Sequence, residues 1–221
     1  MIIKNKFGTI TLFRPAFYFD KKIVGISMSG GVDSSLLCFL AAKAINKENL
    51  EISIQPYNGF DSWAPNDSLK IPNIVAFIRK RFPDVDLKDP IMEHFDTKGD
   101  QIYDKNYYIR PFVKKLRKQR KIDLVMSGIS MGPPINVQKK FTQPRIYRRR
   151  GTELWNEVEA PSPHLAPYKS IDKRFIIQCY VNFKIEPLLD LTHSCTHPTE
   201  QKCGQCWWCQ EKAWAMNEVF K

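Results

Sequence analysis

Four of the six cysteines crowd into one stretch, "SCTHPTEQKCGQCWWCQEK": Cys195, then Cys203, Cys206 and Cys209 at C-x-x-C-x-x-C spacing. Four thiolates satisfy tetrahedral zinc without strain, and such clustering in a reducing compartment points to a metal rather than to disulfides. Gly204 permits the tight turn between the second and third ligands. An iron–sulfur centre is the rival, since the same triplet spacing occurs in ferredoxins, but the further cysteine followed by proline is missing here. His193 and His197 offer substitute ligands. Four thiolates suffice without them, and both histidines are expected at the surface. With every position filled by protein, the metal should be structural and pin the tail to the body. Cys38 and Cys179 lie among apolar residues and are expected in the core.

A second stretch, "SMSGGVDSSLL" (27–37), sits between the apolar runs "IVGI" and "LLCFLAAKAI". Backbone amides at a helix start are unpaired and carry partial positive charge. Glycines remove the Cβ atoms that would keep an anion away, and serine hydroxyls add donors. A strand, this turn and a helix together form a plausible phosphate cradle, with a plain turn and helix cap as the alternative. It is neither a Walker loop, lacking Gly-Lys-Ser/Thr, nor a dinucleotide fingerprint, lacking Gly-x-Gly-x-x-Gly.

These residues need elements to hold them. "KKIVGISMS" (21–29) reads as a buried strand and residues 33–46 as a helix, with Asp33 or Ser34 as its cap. "LEISIQPY" (50–57) reads as a strand stopping near Pro56, "DSWAPNDS" (61–68) as a loop, and "IVAFIRKRF" (74–82) as a helix closed by Pro83. A short strand is expected in "IMEHF" (91–95). "YYIRPFVKKLRKQRK" reads as a helix with Pro111 near its first turn, and "IDLVMSG" (122–128) as a buried strand. Residues 129–168 read as an irregular loop, "SIDKRFIIQCYVNF" (170–183) as a helix, and "WAMNEVF" as a short terminal one. The first 20 residues suggest a strand or hairpin in "TITLFRPAFYF". Alternation of strand and helix predicts an α/β fold, a doubly wound, Rossmann-like parallel sheet with a small C-terminal metal-binding appendage. Ligands in such sheets bind at the carboxyl ends of strands, where Ser127-Gly128 should share a cleft with the Ser29–Ser34 turn.

The 34 basic against 23 acidic residues give a net charge of +11, which favours polyanionic partners. "KKLRKQRK" (114–121) reads as the wet face of a helix. "RIYRRR" (145–150) reads as an exposed loop that binds phosphate or merely keeps the chain in solution. The composition is globular rather than disordered. No apolar run is long enough to span a membrane, and the start resembles no secretory signal, so a cytoplasmic location is expected.

Ser29-Gly30-Gly31-Val32-Asp33-Ser34 is similar to the Ser-Gly-Gly-x-Asp-Ser motif of the PP-loop ATP pyrophosphatases. Enzymes of this kind split ATP between its α- and β-phosphates, adenylate an oxygen of the acceptor and let a nucleophile displace AMP. The resemblance implies that Ser29, Gly30, Gly31, Val32, Asp33 and Ser34, with Ser127 and Gly128, bind ATP, and that Asp33 binds magnesium or orients the turn. Together with the tail Ser-Cys-x7-Cys-Gly-x-Cys-x-x-Cys, the motif resembles the 7-cyano-7-deazaguanine synthase family over residues 22–57, 122–128 and 167–210. That family converts 7-carboxy-7-deazaguanine to the nitrile with ammonia and ATP. By this likeness residues 1–187 form the nucleotide-binding domain and 188–221 a zinc-binding subdomain, with Asp33 and Lys173 catalytic and Cys195, Cys203, Cys206 and Cys209 on zinc. A homodimer is a further expectation. The segments "KNYYIRPFV" and "GISMGPPINV" depart from the family's pattern around the deazaguanine pocket and point to an altered acceptor. Two alternatives stand beside it: a PP-loop enzyme that modifies a nucleic-acid base, such as a tRNA thiolase, and a nucleotide-binding module without catalysis.

Overall fold

The computed structural model describes residues 1–13, 22–61, 65–95, 105–142, 164–195 and 202–221. Val24 and Ile26, alternating with Gly25, form β3 (Ile23–Ser27), buried on both faces as a central parallel strand must be. It is preceded by a separate antiparallel hairpin, β1 (Ile2–Asn5) and β2 (Gly8–Thr11), which starts earlier than the expected position. Next come α1 (Val32–Glu48), β4 (Ser53–Asp61), α2 (Pro65–Arg81), β5 (Ile91–Phe95), α3 (Lys105–Lys118) and β6 (Leu124–Ser127). The short α4 (Ile135–Gln138) and β7 (His164–Leu165) follow, then α5 (Lys173–Asn182), α6 (Glu186–Asp190) and α7 (Trp207–Val219).

Five strands make one parallel sheet in the order β5-β4-β3-β6-β7. The chain winds outward from β3 through β4 to β5, then crosses back to β6 on the other side of β3. The order therefore reverses between β3 and β6, and the crevice beyond their carboxyl ends is where such a fold takes a ligand. Ser27 and Ser127 stand side by side at that edge.

Three local expectations are corrected. β4 runs through Pro56 to Asp61 rather than stopping there. Ile54 bonds the segment ahead of β5, so residues of its parity, Pro56 included, aim their amides to that side. The Pro56 ring falls where the Gln55 amide already bridges Pro56 O and Asp89 O, at 3.0 and 2.7 Å, so no ladder bond is lost. The helix expected at 74 begins at Pro65 and contains Pro72. Ile71, Ile74, Val75 and Ile78 form its buried stripe. Burying four such side chains at about 1.5–3 kcal/mol each outweighs the roughly 3 kcal/mol of a helical proline. Pro111 is likewise internal to α3, where Phe112 and Leu116 are buried.

The basic run 114–121 does face water, with Lys114, Lys115, Lys118, Arg120 and Lys121 exposed. "RIYRRR" lies outside the described residues, as do His197 and most of the expected loop 129–168. Among the described residues no helix is long and apolar enough to cross a membrane.

Candidate nucleotide site and four-cysteine centre

Pairing of β3 with β4 persists one residue past the strand, where the Met28 amide donates to Tyr57 O at 2.8 Å. The turn then begins at Ser29. Gly30 has φ +73°, a left-handed conformation costing a residue with a Cβ about 1–2 kcal/mol. Gly31 occupies the N-cap of α1, and no side chain caps the helix. Asp33 and Ser34, the expected caps, lie inside the first turn instead. Ser34 Oγ accepts from the Ser29 amide at 3.1 Å and lies 3.2 Å from Ser29 Oγ. The Ser35 hydroxyl donates to Gly31 O at 2.8 Å. The serines brace the turn, and the positive end of a 17-residue helix faces the crevice.

Gly128, just past β6, backs onto this turn. A Cβ there would lie 2.8 Å from the Asp33 carbonyl carbon and 2.9 Å from Ser34 N, both backbone. Gly128→Ala therefore should force β6 away from α1, lowering stability by about 1–3 kcal/mol, as overpacking does. Urea unfolding checks this; a variant with the wild-type midpoint would contradict the packing. Ser127 Oγ is buried with no hydrogen-bond partner among the described residues, as is Asp33 Oδ1.

Lys173, the first residue of α5, arrives from far along the chain. Asp172 caps α5 by accepting from the Arg174 amide at 2.9 Å, which fixes where the helix starts. The buried Tyr180 hydroxyl donates to Val32 O at 2.8 Å and locks α5 to the first turn of α1. The Lys173 ammonium donates to Asp33 Oδ2 and lies 3.4 Å from Glu211 Oε2. The two residues expected to be catalytic are thus in contact.

His193 corrects an expectation, being buried rather than at the surface. Its amide donates to Gly30 O at 2.9 Å, and its carbonyl and Ser194 Oγ close over Gly31. Burial, then the ammonium groups of Lys202, Lys70 and Lys212, hold its imidazole below the usual range. Burial, then Lys202 and Lys173, push Lys212 down to about 8. Tyr180 and Glu211 carry no local motif, so nothing in the sequence flagged them, and His193 drew notice only as a substitute metal ligand.

Cys195, Cys203, Cys206 and Cys209 do come together, with all four Sγ atoms within 4.8 Å of one another. Gly204 turns at φ +71°, and α7 begins directly after Cys206. The Cys203 amide donates to Cys195 Sγ at 3.4 Å and the Cys206 amide to Cys203 Sγ at 3.3 Å, bonds that favour thiolates. Desolvation opposes ionisation of Cys203, but the amides of Cys206 and Gln205, with the Cys195 and Cys206 thiols, bring it down to about 6. Burial, then the neighbouring Cys206, pushes Cys209 up. One tetrahedral ion at about 2.3 Å from each sulfur sets them roughly 3.8 Å apart, a spacing this set reaches with small shifts. Sulfurs on the outer corners of a four-iron cluster stand wider apart. The donor set fits a single ion better.

Cys38 and Cys179 are fully buried, as expected, and burial pushes both thiols up to about 12. Neither is a nucleophile at neutral pH.

No family model and no curated protein matches the chain. Its fold is shared with two solved structures. The U34-tRNA thiolase NcsA from Methanococcus maripaludis, with its 4Fe-4S cluster, superposes with a TM-score of 0.51 and 11% identity, over 94% of this chain and 68% of that one. A 4-thiouridine synthetase in complex with RNA and bound ATP gives 0.53 and 14%, over 90% of this chain and 50% of that one. The chain thus spans half the length of the second. At these identities the likeness is one of fold.

Proposed function

We propose that the protein is an ATP-dependent enzyme, forming AMP and pyrophosphate, that adenylates an oxygen of an RNA base for replacement by an external nucleophile. The observation that carries this is the contact of Lys173 with Asp33 at the uncapped start of α1, on the β3/β6 crevice. In this reading the amides of Gly30–Ser34 and the Ser29 hydroxyl receive the β- and γ-phosphates. Lys173 neutralises the charge that builds on pyrophosphate as the acceptor oxygen attacks the α-phosphorus in line. Asp33 Oδ1, buried and without a partner among the described residues, suits a magnesium ion brought by ATP. Residues 188–221 form a metal-binding appendage to a nucleotide-binding body of residues 1–187. The four cysteines suit zinc, which would hold the tail in place without entering the chemistry.

An RNA acceptor is supported by the net charge of +11 and by the two proteins of like fold, both described as acting on or bound to RNA. The inert Cys38 and Cys179 mean that a sulfur or nitrogen nucleophile comes from outside the body of the fold. A second reading, amidation and dehydration of a free 7-deazaguanine carboxylate with ammonia, is favoured by the cysteine set, whose spacing matches that family and whose sulfurs gather as a zinc site needs.

Release of labelled AMP from ATP tests both. With bulk unmodified tRNA and sulfide or ammonia, AMP should form at a rate that falls steeply as salt rises. AMP formed only with 7-carboxy-7-deazaguanine and ammonia would select the second reading. AMP from neither would reject both.

A further inference from the structure

Glu211 lies in the first turns of α7, two residues beyond Cys209, and is 3% exposed. A carboxylate so buried needs a partner of opposite charge, and Lys173, itself 4% exposed, is within 3.4 Å. Lys173 therefore lies between two carboxylates from different parts of the chain: Asp33 on α1 and Glu211 on the tail helix. A lysine that needed only neutralising would have enough in Asp33. The second carboxylate adds net negative charge beside a turn built for an anion, and so calls for another role.

Asp33 belongs to the turn itself. A phosphate entering that turn repels the Asp33 carboxylate and attracts the Lys173 ammonium, which must turn from one toward the other. Lysine is a flexible four-carbon stem, and its charge is placed only as well as its neighbours place it. Glu211 is the group that still holds the ammonium when Asp33 no longer does. Its own place is set by the Cys206–Cys209 turn at the start of α7, by the Phe141–Trp207 ring contact at 5.0 Å, and by Gln210, whose Oε1 accepts from the Thr142 amide at 3.0 Å.

We propose that Glu211 is a positioning residue that holds the Lys173 ammonium at the mouth of the phosphate-binding turn, so that the cysteine-bearing tail supplies part of the nucleotide site. This rests on the ATP-cleaving reading above.

The test compares Glu211→Gln and Glu211→Asp with wild type and with Glu218→Gln, a control at a half-exposed position of the same helix. Misplacing a catalytic charge by about 1 Å costs up to about a hundredfold in rate, while the loop amides still bind ground-state ATP. Glu211→Gln should lower kcat for AMP formation about 10- to 100-fold with KM for ATP within about threefold. Glu211→Asp should recover part of the rate, Glu218→Gln should match wild type, and bound metal should be equal in all four. A second readout needs no turnover: labelling of Lys173 by an amine-acylating reagent, followed by mass spectrometry, should run several-fold faster in Glu211→Gln. Unchanged kcat with unchanged labelling would overturn the positioning role. Loss of metal and rate together in both Glu211 variants would overturn it too, leaving Glu211 a structural residue. If wild type makes no AMP with any acceptor, the enzymatic reading fails, and the labelling still decides whether Glu211 holds Lys173.

Discussion

Lys173→Met should reduce AMP formation by about a hundredfold to a thousandfold, the usual cost of removing one preorganised charge from a developing anion. The same change should destabilise the fold. Glu211 loses the one cation paired with it among the described residues, and an unpaired buried carboxylate costs about 3–5 kcal/mol. Asp33 is less buried, at 21% exposure of its side chain, and adds little. The two effects separate in the double variant Lys173→Met with Glu211→Gln. Removing the orphaned charge should return most of the stability and none of the rate, as expected of coupled neighbours with different roles. Urea midpoints and single-turnover AMP release measure the two. A Lys173→Met protein that turns over ATP normally would remove Lys173 from the reaction.

The second large effect lies in the tail. Cys206 occupies the N-cap position of α7 and is one of the four sulfurs gathered within 4.8 Å of one another. Cys206→Ser should release the bound metal, one ion per chain. Metal binding by such a set is folding free energy for the residues it closes. Loss of roughly 3–4 kcal/mol in a chain of this size lowers Tm by about 10 °C. Proteolysis should then cut first in the cysteine-bearing tail, before the body of the fold opens. Because His193 and Ser194 close over Gly31, nucleotide affinity should fall with the metal. Elemental analysis, a thermal scan and ATP titration on the same samples check the three outcomes. Full metal occupancy in Cys206→Ser would contradict the four-thiolate centre.

Much of the site was legible because its signals are local. An apolar run, two glycines and an amphipathic segment fix β3, the turn and α1 within about 25 residues, and the cysteine spacing is its own signature. Proline misled where burial outweighed it. Pro56 lies in a gap of the ladder that only the Gln55 side chain reveals, and Pro72 is carried by the isoleucines packed around it. His193 looked like a polar residue in a cysteine-rich tail, but its burial follows from docking on Gly30, 163 positions earlier. Glu211 looked like an ordinary helix carboxylate. Its role depends on α7 packing against α5, a contact set by tertiary structure and by no spacing within either helix. The acceptor was the least legible part. The segments that depart from the deazaguanine family, "KNYYIRPFV" and "GISMGPPINV", carry no positive motif of their own.

The account depends on the Gly30–Ser34 turn taking the phosphates of ATP. Titration of 15N-labelled protein with magnesium pyrophosphate, followed by amide resonances, tests that most directly. The largest shifts should fall on Gly30, Gly31, Val32 and Asp33, saturate together, and recur on the same four amides when ATP replaces pyrophosphate. Shifts spread over the exposed lysines of α3, with those four amides unmoved, would contradict it.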